Sequence, residues 1–438
     1  MNELGETLST QSAVRILRAS FYAPGIDGRA GLPLMLLGDP GVGKSAIVRQ
    51  FTRSMRSVSG PVRCEVLSPG ERGDGAFGVT PVPVVRGDKH VLSYPVPEWA
   101  EPLLEDDAVG IVFIDEIQEA PPHIRAALLG LIHDRRIGGA QLGPRVRVVA
   151  AGNDPATVQS GYGLAANAAN RMGHMDWPCP TPKEHAAYMA SLVSAADGSE
   201  AVQEENVEDV ETRVKAVWSR ELAKAVGLES TFHRSNGGSR KNMFPGKRGG
   251  EAEKLRLNPS GAWPSDRTWE LATRALAISA VFDLTPAEKM AFVGAFIGAP
   301  VAIEFLGFVD GVQVPDPVEF LAGKVEFKHS SKRLDRSWAL ASACLNTLRI
   351  REYATDANAI ALYRFVGEQL VNADIELAQW IWGELVTPGT APINPKTKKA
   401  FYLGDLGDTS RDFRYKDRNG VERSLMSILG ESSRASKS

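Results

Sequence analysis

Cysteine is scarce in this chain: Cys64, Cys179 and Cys344 are the three in 438 residues, they lie far apart, and no two form a C-x-x-C pair. That excludes a disulfide framework and a paired-thiolate metal or redox centre, and leaves three small apolar fillers. Long hydrophobic runs are missing as well. The longest are short pieces such as Leu34 to Leu37 and Ile111 to Ile114, well below the ~18 residues that cross a bilayer. The opening MNELGETLST has neither the basic nor the apolar segment of a secretory signal, so the cytoplasm is the expected compartment and no membrane partner is expected. No sign of charge dominates: 50 Lys and Arg face 53 Asp and Glu, a formal charge of -3, so nucleic acid or anionic lipid would have to be met by a local patch. Hydrophobic residues at 43% and charged residues at 24% are ordinary for a folded globular chain. At about 150 residues per domain the length allows two or three domains.

Residues 11 to 22 place Ala13, Val14, Leu17 and Phe21 at helical spacing, which predicts a short amphipathic helix. From Leu32 to about Ala151, brief apolar runs (LPLMLLG, VRCEVL, AVGIVFID, VRVVAAG) alternate with helical stretches (SAIVRQFTRSM, PPHIRAALLGLIHD). That alternation predicts an α/β fold, a buried parallel sheet with flanking helices. Two interruptions read as hairpin inserts, at about 79–99 around RGDK and at about 135–143 around RRIGGAQLG. The stretch from His233 carries Arg234, Arg240, Lys241, Lys247, Arg248, Lys254 and Arg256 with little apolar content, and predicts a basic mobile loop over 233–264. From Ser265 the pattern is helical throughout, so the expected divisions are an αβα core over 1–232, the basic loop, a helical lid with a helical C-terminal extension over 265–430, and a polar tail over 431–438.

The chemistry is carried by four segments. Gly38, Asp39, Pro40, Gly41, Val42, Gly43, Lys44 and Ser45 match G-x-x-x-x-G-K-[ST] between an expected strand and an expected helix. Glycines let successive backbone N–H groups point at phosphate oxygens, and the following helix N-terminus adds its partial positive charge. Lys44 is then placed to bridge the β- and γ-phosphates and the Ser45 hydroxyl to hold Mg²⁺. In IVFIDEI, Asp115 ends a strand where Mg²⁺ needs a second protein contact, and Glu116 is placed as general base for the attacking water. VRVVAAGND ends at Asn153, whose amide can hold that water or the γ-phosphate. Arg171, in NRMGHMDW, can stabilise the charge of a transferring phosphoryl group. His123 and His133, on the helix after Asp115, and His174, in an expected loop, read as surface or core histidines.

With the later WPSDRTWE, these segments resemble the AAA+ ATPases, and within them the MoxR-like branch of the helix-2-insert clade, over roughly residues 10 to 285. The resemblance implies ATP as the nucleotide with Mg²⁺, Asn153 as the sensor-1 residue, Arg171 as an arginine finger reaching a neighbouring subunit, and Arg267 as a sensor-2 arginine on the γ-phosphate of its own subunit. It also implies two hairpin inserts facing the axis of a homo-oligomeric, hexameric ring, and a client protein remodelled with a von Willebrand factor A domain partner. The finger reads Asn170, Arg171, Met172 where relatives usually have Phe after the arginine, and for the helices after the lid the resemblance implies nothing. Two other readings are a DNA-dependent motor of the restriction type, using the basic loop on nucleic acid, and a nucleotide-gated assembly scaffold.

Overall fold

The structure is a computed structural model that describes residues 8–153, 166–197, 204–245, 250–406, 413–416 and 420–429. It comprises two compact units: Met1–Ala216 with Arg240–Ile303, and Val217–Ser239 with Glu304–Ser438.

The first unit is built on five parallel strands, β1 Leu34–Leu37, β2 Arg63–Leu67, β3 Gly110–Ile114, β4 Val146–Gly152 and β5 Gly173–Asp176. Their order is β5-β1-β4-β3-β2. Every residue of β3 and β4 is buried, as in a sheet covered on both faces, which is why these strands read as unbroken apolar runs. Register brings Leu37 level with Gly152 and Asp176, so the loops after β1, β4 and β5 leave the sheet side by side. Helix α1, Thr10–Tyr22, starts where the Ser9 side chain accepts from the Ser12 amide, and it buries Ile16, Leu17 and Phe21. Helix α2, Lys44–Arg53, follows β1, and α3, Pro122–Asp134, follows β3. One charge interrupts the buried strands: Arg147 of β4 lies 3.9 Å over the Phe21 ring and donates to Glu211 at 2.7 Å, so its burial is paired.

Helix α4, Val207–Ser235, begins in this unit, which also holds α5, Asp266–Val281, and α6, Pro286–Ile297. A Cβ on Gly173 of β5 would come within 2.8 Å of the Phe296 ring of α6, so the glycine is what lets α6 lie against the sheet edge. The first helices of the expected lid therefore pack with the sheet. Residues 266–297, expected in a lid, belong to the compact unit of the sheet, whose second segment runs Arg240–Ile303.

The expected basic loop is only partly a loop. Arg234 is still on α4, Met243 is buried and donates from its amide to Pro264 at 3.0 Å, and the Trp269 indole donates to the Arg240 carbonyl at 3.0 Å. Lys247 and Arg248, like the tail at 431–438, lie outside the described residues.

In the second unit, helices Leu334–Leu348, Asp356–Phe365 and Ile375–Val386 enclose a core containing Leu340, Leu345, Leu362, Tyr363 and Ile381. Arg234 lies 3.6 Å over the Trp338 ring, a cation–π contact. The expected all-helical extension also carries a short antiparallel pair, Arg414–Lys416 with Glu422–Ser424, whose Tyr415 ring sits where any Cβ on Gly367 would be, 2.1 Å away. Among the described residues no helix is long and apolar enough to cross a membrane.

Both inserts form hairpins in the first unit: Val82–Arg86 pairs with Lys89–Ser93 around Gly87 at φ 61, and Arg136–Ile137 pairs with Ala140–Gln141. The second is docked on the chain leaving the first through bare backbone. Gly139 donates to the Tyr94 carbonyl at 2.9 Å. A Cβ on Gly138, which sits at φ 56, would lie 2.3 Å from the Pro95 carbonyl oxygen. Gly138→Val is therefore expected to lower stability by about 1–3 kcal/mol through clash and backbone strain combined. A thermal unfolding midpoint equal to that of the parent would contradict this docking.

Candidate active site

The loops after β1, β3 and β4 converge at the carboxyl end of the sheet, where open α/β sheets bind their ligands. Gly38 to Gly43 bridge β1 and α2, with Gly41 at φ 80 and Gly43 at φ 86. Those left-handed conformations favour glycine, and nothing lies within 4 Å of where a Cβ would stand on either. Gly43 caps α2 without a side chain, so the first amides of the helix face the loop, while Asp39, Pro40 and Gly41 are exposed and Val42 is half-buried. Gly38 is a glycine for a different reason: a Cβ there would come within 2.9 Å of the Trp177 carbonyl oxygen beyond β5.

Lys44 is buried at 8% exposure and donates to the carbonyls of Gly38 and Asp39 at 2.7 and 2.9 Å. Burial lowers its proton affinity below that of a free lysine, with Asp115, Asp39 and Glu116 opposing the shift. The Ser45 hydroxyl donates to Asp115 Oδ2 at 2.5 Å, joining the loop after β1 to the end of β3 across the intervening β4. Asp115 is itself held by its amide, which donates to Leu67 of β2 at 2.8 Å. Glu116 follows in the left-handed region, φ 50 and ψ 47, with its side chain exposed. An acidic residue in that conformation is uncommon, and here it turns the carboxylate out of the strand line. Asn153 lies directly after β4, half-buried.

Gln118 adds a group that the sequence pattern does not single out. It is buried at 7% exposure, and both atoms of its amide lack a partner among the described residues. Its Oε1 would be 2.6 Å from a Cβ on Gly152, which places it beside the residue that precedes Asn153.

Next to the phosphate loop is a cavity of about 480 Å³ whose wall includes Leu37, Asp176, Trp177, Asn258, Met290 and Gly294. Its volume is in the range of small-molecule sites, and its wall mixes aromatic and aliphatic surface with a few polar groups. His174 also lines it. Expected in a loop, it is instead part of β5, a four-residue strand too short to show as alternation. Its Nε2 pairs with the Ala169 carbonyl at 2.9 Å, and burial keeps its proton affinity below the usual histidine range.

The two arginines stand apart from the loop. Arg171 and Arg267 line one small cavity with His133 and Asp134 at the end of α3, and no residue of the phosphate loop belongs to its wall. Burial, and then the nearby charge of Arg267, depress the proton affinity of Arg171. What brings them together is Asn170, which accepts from the Ser265 hydroxyl at 2.7 Å and donates to the Trp263 carbonyl at 3.3 Å. Ser265 is the N-cap of α5, in a reciprocal capping box with Thr268, so the residue before the first arginine is fastened to the helix end that carries the second. Met172, which follows the arginine, is buried in the apolar core under the sheet.

The phosphate loop, the acidic strand end and the parallel sheet they sit on together make this a P-loop α/β architecture. No family model matches the chain. No curated protein matches it either. Among solved structures, it is similar to one described as "a putative ATPase" from Cytophaga hutchinsonii, at 13% identity and a TM-score of 0.42, covering 69% of this chain and 90% of that one. So distant a likeness carries no inference about the site, which stands on its own residues.

Proposed function

We propose that the chain is a Mg²⁺-dependent ATPase that assembles into a ring, each copy holding nucleotide on its own phosphate loop and offering Arg171 to a neighbour's, together with Arg267, which the resemblance would put on its own subunit's phosphate but which shares the cavity of Arg171. The Ser45 to Asp115 contact at 2.5 Å carries the first half of this reading: it brings together the two oxygens that would hold Mg²⁺, beside a buried Lys44 and glycines with open space over them. Ser45 and Asp115 would hold the Mg²⁺, whose positive charge would offset that of the phosphates. Lys44 would leave the loop carbonyls for those oxygens, the α2 amides would bind the β-phosphate, and Glu116 would take the proton of the attacking water. Asn153 orients that water, and the cavity beside Trp177 takes the nucleoside. That Arg171 and Arg267 line a cavity to which no phosphate-loop residue contributes supports the second half, since cations set there can serve another copy's nucleotide.

The motor action would remodel a client protein, as the resemblance to the MoxR-like branch implies, with a von Willebrand factor A domain protein as partner. Arg234, one of the cations that a nucleic-acid reading would use, is stacked on Trp338, and no observation favours a DNA motor. The test is phosphate release from Mg·ATP. The parent chain is expected to turn over and Lys44→Ala to lose nucleotide binding with its fold intact by circular dichroism. Equal turnover in both would refute the site.

A further inference from the structure

The cavity that Arg171 and Arg267 share is lined by two further arginines, Arg29 and Arg135, and by Asp27 and Asp134. Arg135 is the unusual one. It ends α3 in the left-handed region at φ 55 and is 4% exposed. One of its donors goes to the Ile132 carbonyl, while its Nε has no partner among the described residues. The neighbouring charges it feels are Arg29 and Arg147, both of its own sign, and with burial as the larger cause they push its proton affinity down to about 9. A buried cation without a counter-charge is costly, so its retention beside a cavity calls for an anion. Arg171 likewise has a buried Nε without a partner among the described residues. Arg29 is fixed by donating to the His133 carbonyl at 2.6 Å. The cavity measures about 70 Å³. At roughly 10–15 Å³ of such space per held water molecule, that is room for a few waters or for one tetrahedral oxyanion.

We propose that this cavity is a phosphate site in which Arg29 and Arg135 bind the same group as Arg171 and Arg267. Planar guanidinium groups suit it, because each can present paired donors to phosphate oxygens. In the assembled protein the occupant is the terminal phosphate of the neighbouring copy's nucleotide. That part rests on the ring ATPase reading above, whereas the site itself does not, since free orthophosphate offers the same chemistry.

Two arms separate these. In the first, inorganic phosphate is titrated calorimetrically into Lys44→Ala protein, so that the phosphate loop does not compete, with and without Arg135→Met. Saturable binding that weakens roughly tenfold to a hundredfold on losing Arg135 is the expected result. In the second, Arg135→Met copies are mixed with Lys44→Ala copies. A Lys44→Ala copy supplies an intact pocket to nucleotide held by an Arg135→Met copy, so turnover absent from either alone is expected to return. Rescue also shows that the Arg135→Met chain is folded; if that variant does not fold, Arg29→Gln takes its place in both arms. Phosphate binding that depends on these arginines, without rescue, supports the site with free phosphate as its occupant. Phosphate binding and turnover that are both indifferent to Arg135 and Arg29 overturn the proposal.

Discussion

Glu116→Gln is expected to bind Mg·ATP as the parent does while phosphate release falls by about two to four orders of magnitude, the span general-base catalysis supplies. The amide keeps the size of the side chain and one acceptor oxygen, but it cannot take the proton of the attacking water. The geometry isolates this effect well. Glu116 is exposed, and its amide donates to Asp115 Oδ1 at 3.1 Å, a backbone contact the substitution leaves alone. Asp115 and Ser45 keep their own hydrogen bond, so the groups that would hold Mg²⁺ are undisturbed. Fluorescent-nucleotide titration together with single-turnover phosphate release checks both halves. Retained turnover would remove Glu116 from the role of base.

Arg171→Ala is expected to lose about 10³-fold or more in turnover, the range seen when a transition-state arginine is supplied from outside the nucleotide's own site, with nucleotide affinity unchanged. The substitution leaves Asn170 tied to Ser265, so α5 and Arg267 stay in place and the loss would belong to the missing guanidinium. Asn170→Ala, by contrast, leaves the Ser265 hydroxyl without that acceptor and frees the loop that carries Arg171. It is expected to reduce turnover together with about 1–3 kcal/mol of stability, a pairing that Arg171→Ala lacks. Comparing the two variants by denaturant titration and phosphate release distinguishes a group that acts on phosphate from one that positions it.

Much of this arrangement is legible in the sequence, and the reason is local. The phosphate loop is one continuous segment whose glycines are demanded by backbone conformation, and Asp115 ends a strand buried on both faces, so spacing and apolar pattern suffice. The grouping of Arg171 with Arg267 was not legible. It depends on Asn170 meeting the cap of α5 and on α6 packing at Gly173, two tertiary contacts with no periodic signature. The β5 strand escaped for the same kind of reason, being four residues long with His174 inside it. Arg135 is invisible in sequence because RRIGG reads as a basic turn; only burial makes its charge anomalous. The basic stretch after His233 misled through composition, since Arg234 and Met243 are placed by aromatic stacking and by a backbone bond to Pro264.

The central claim is that one copy's arginines complete another copy's phosphate site, and the most direct measurement is the mass of the Glu116→Gln protein by light scattering on a sizing column, with and without Mg·ATP. A shift on adding nucleotide to the mass of about six chains of 47.2 kDa each is the predicted result. Bound nucleotide with no change in mass would contradict it, for Arg171 and Arg267 would then have no neighbouring phosphate to meet.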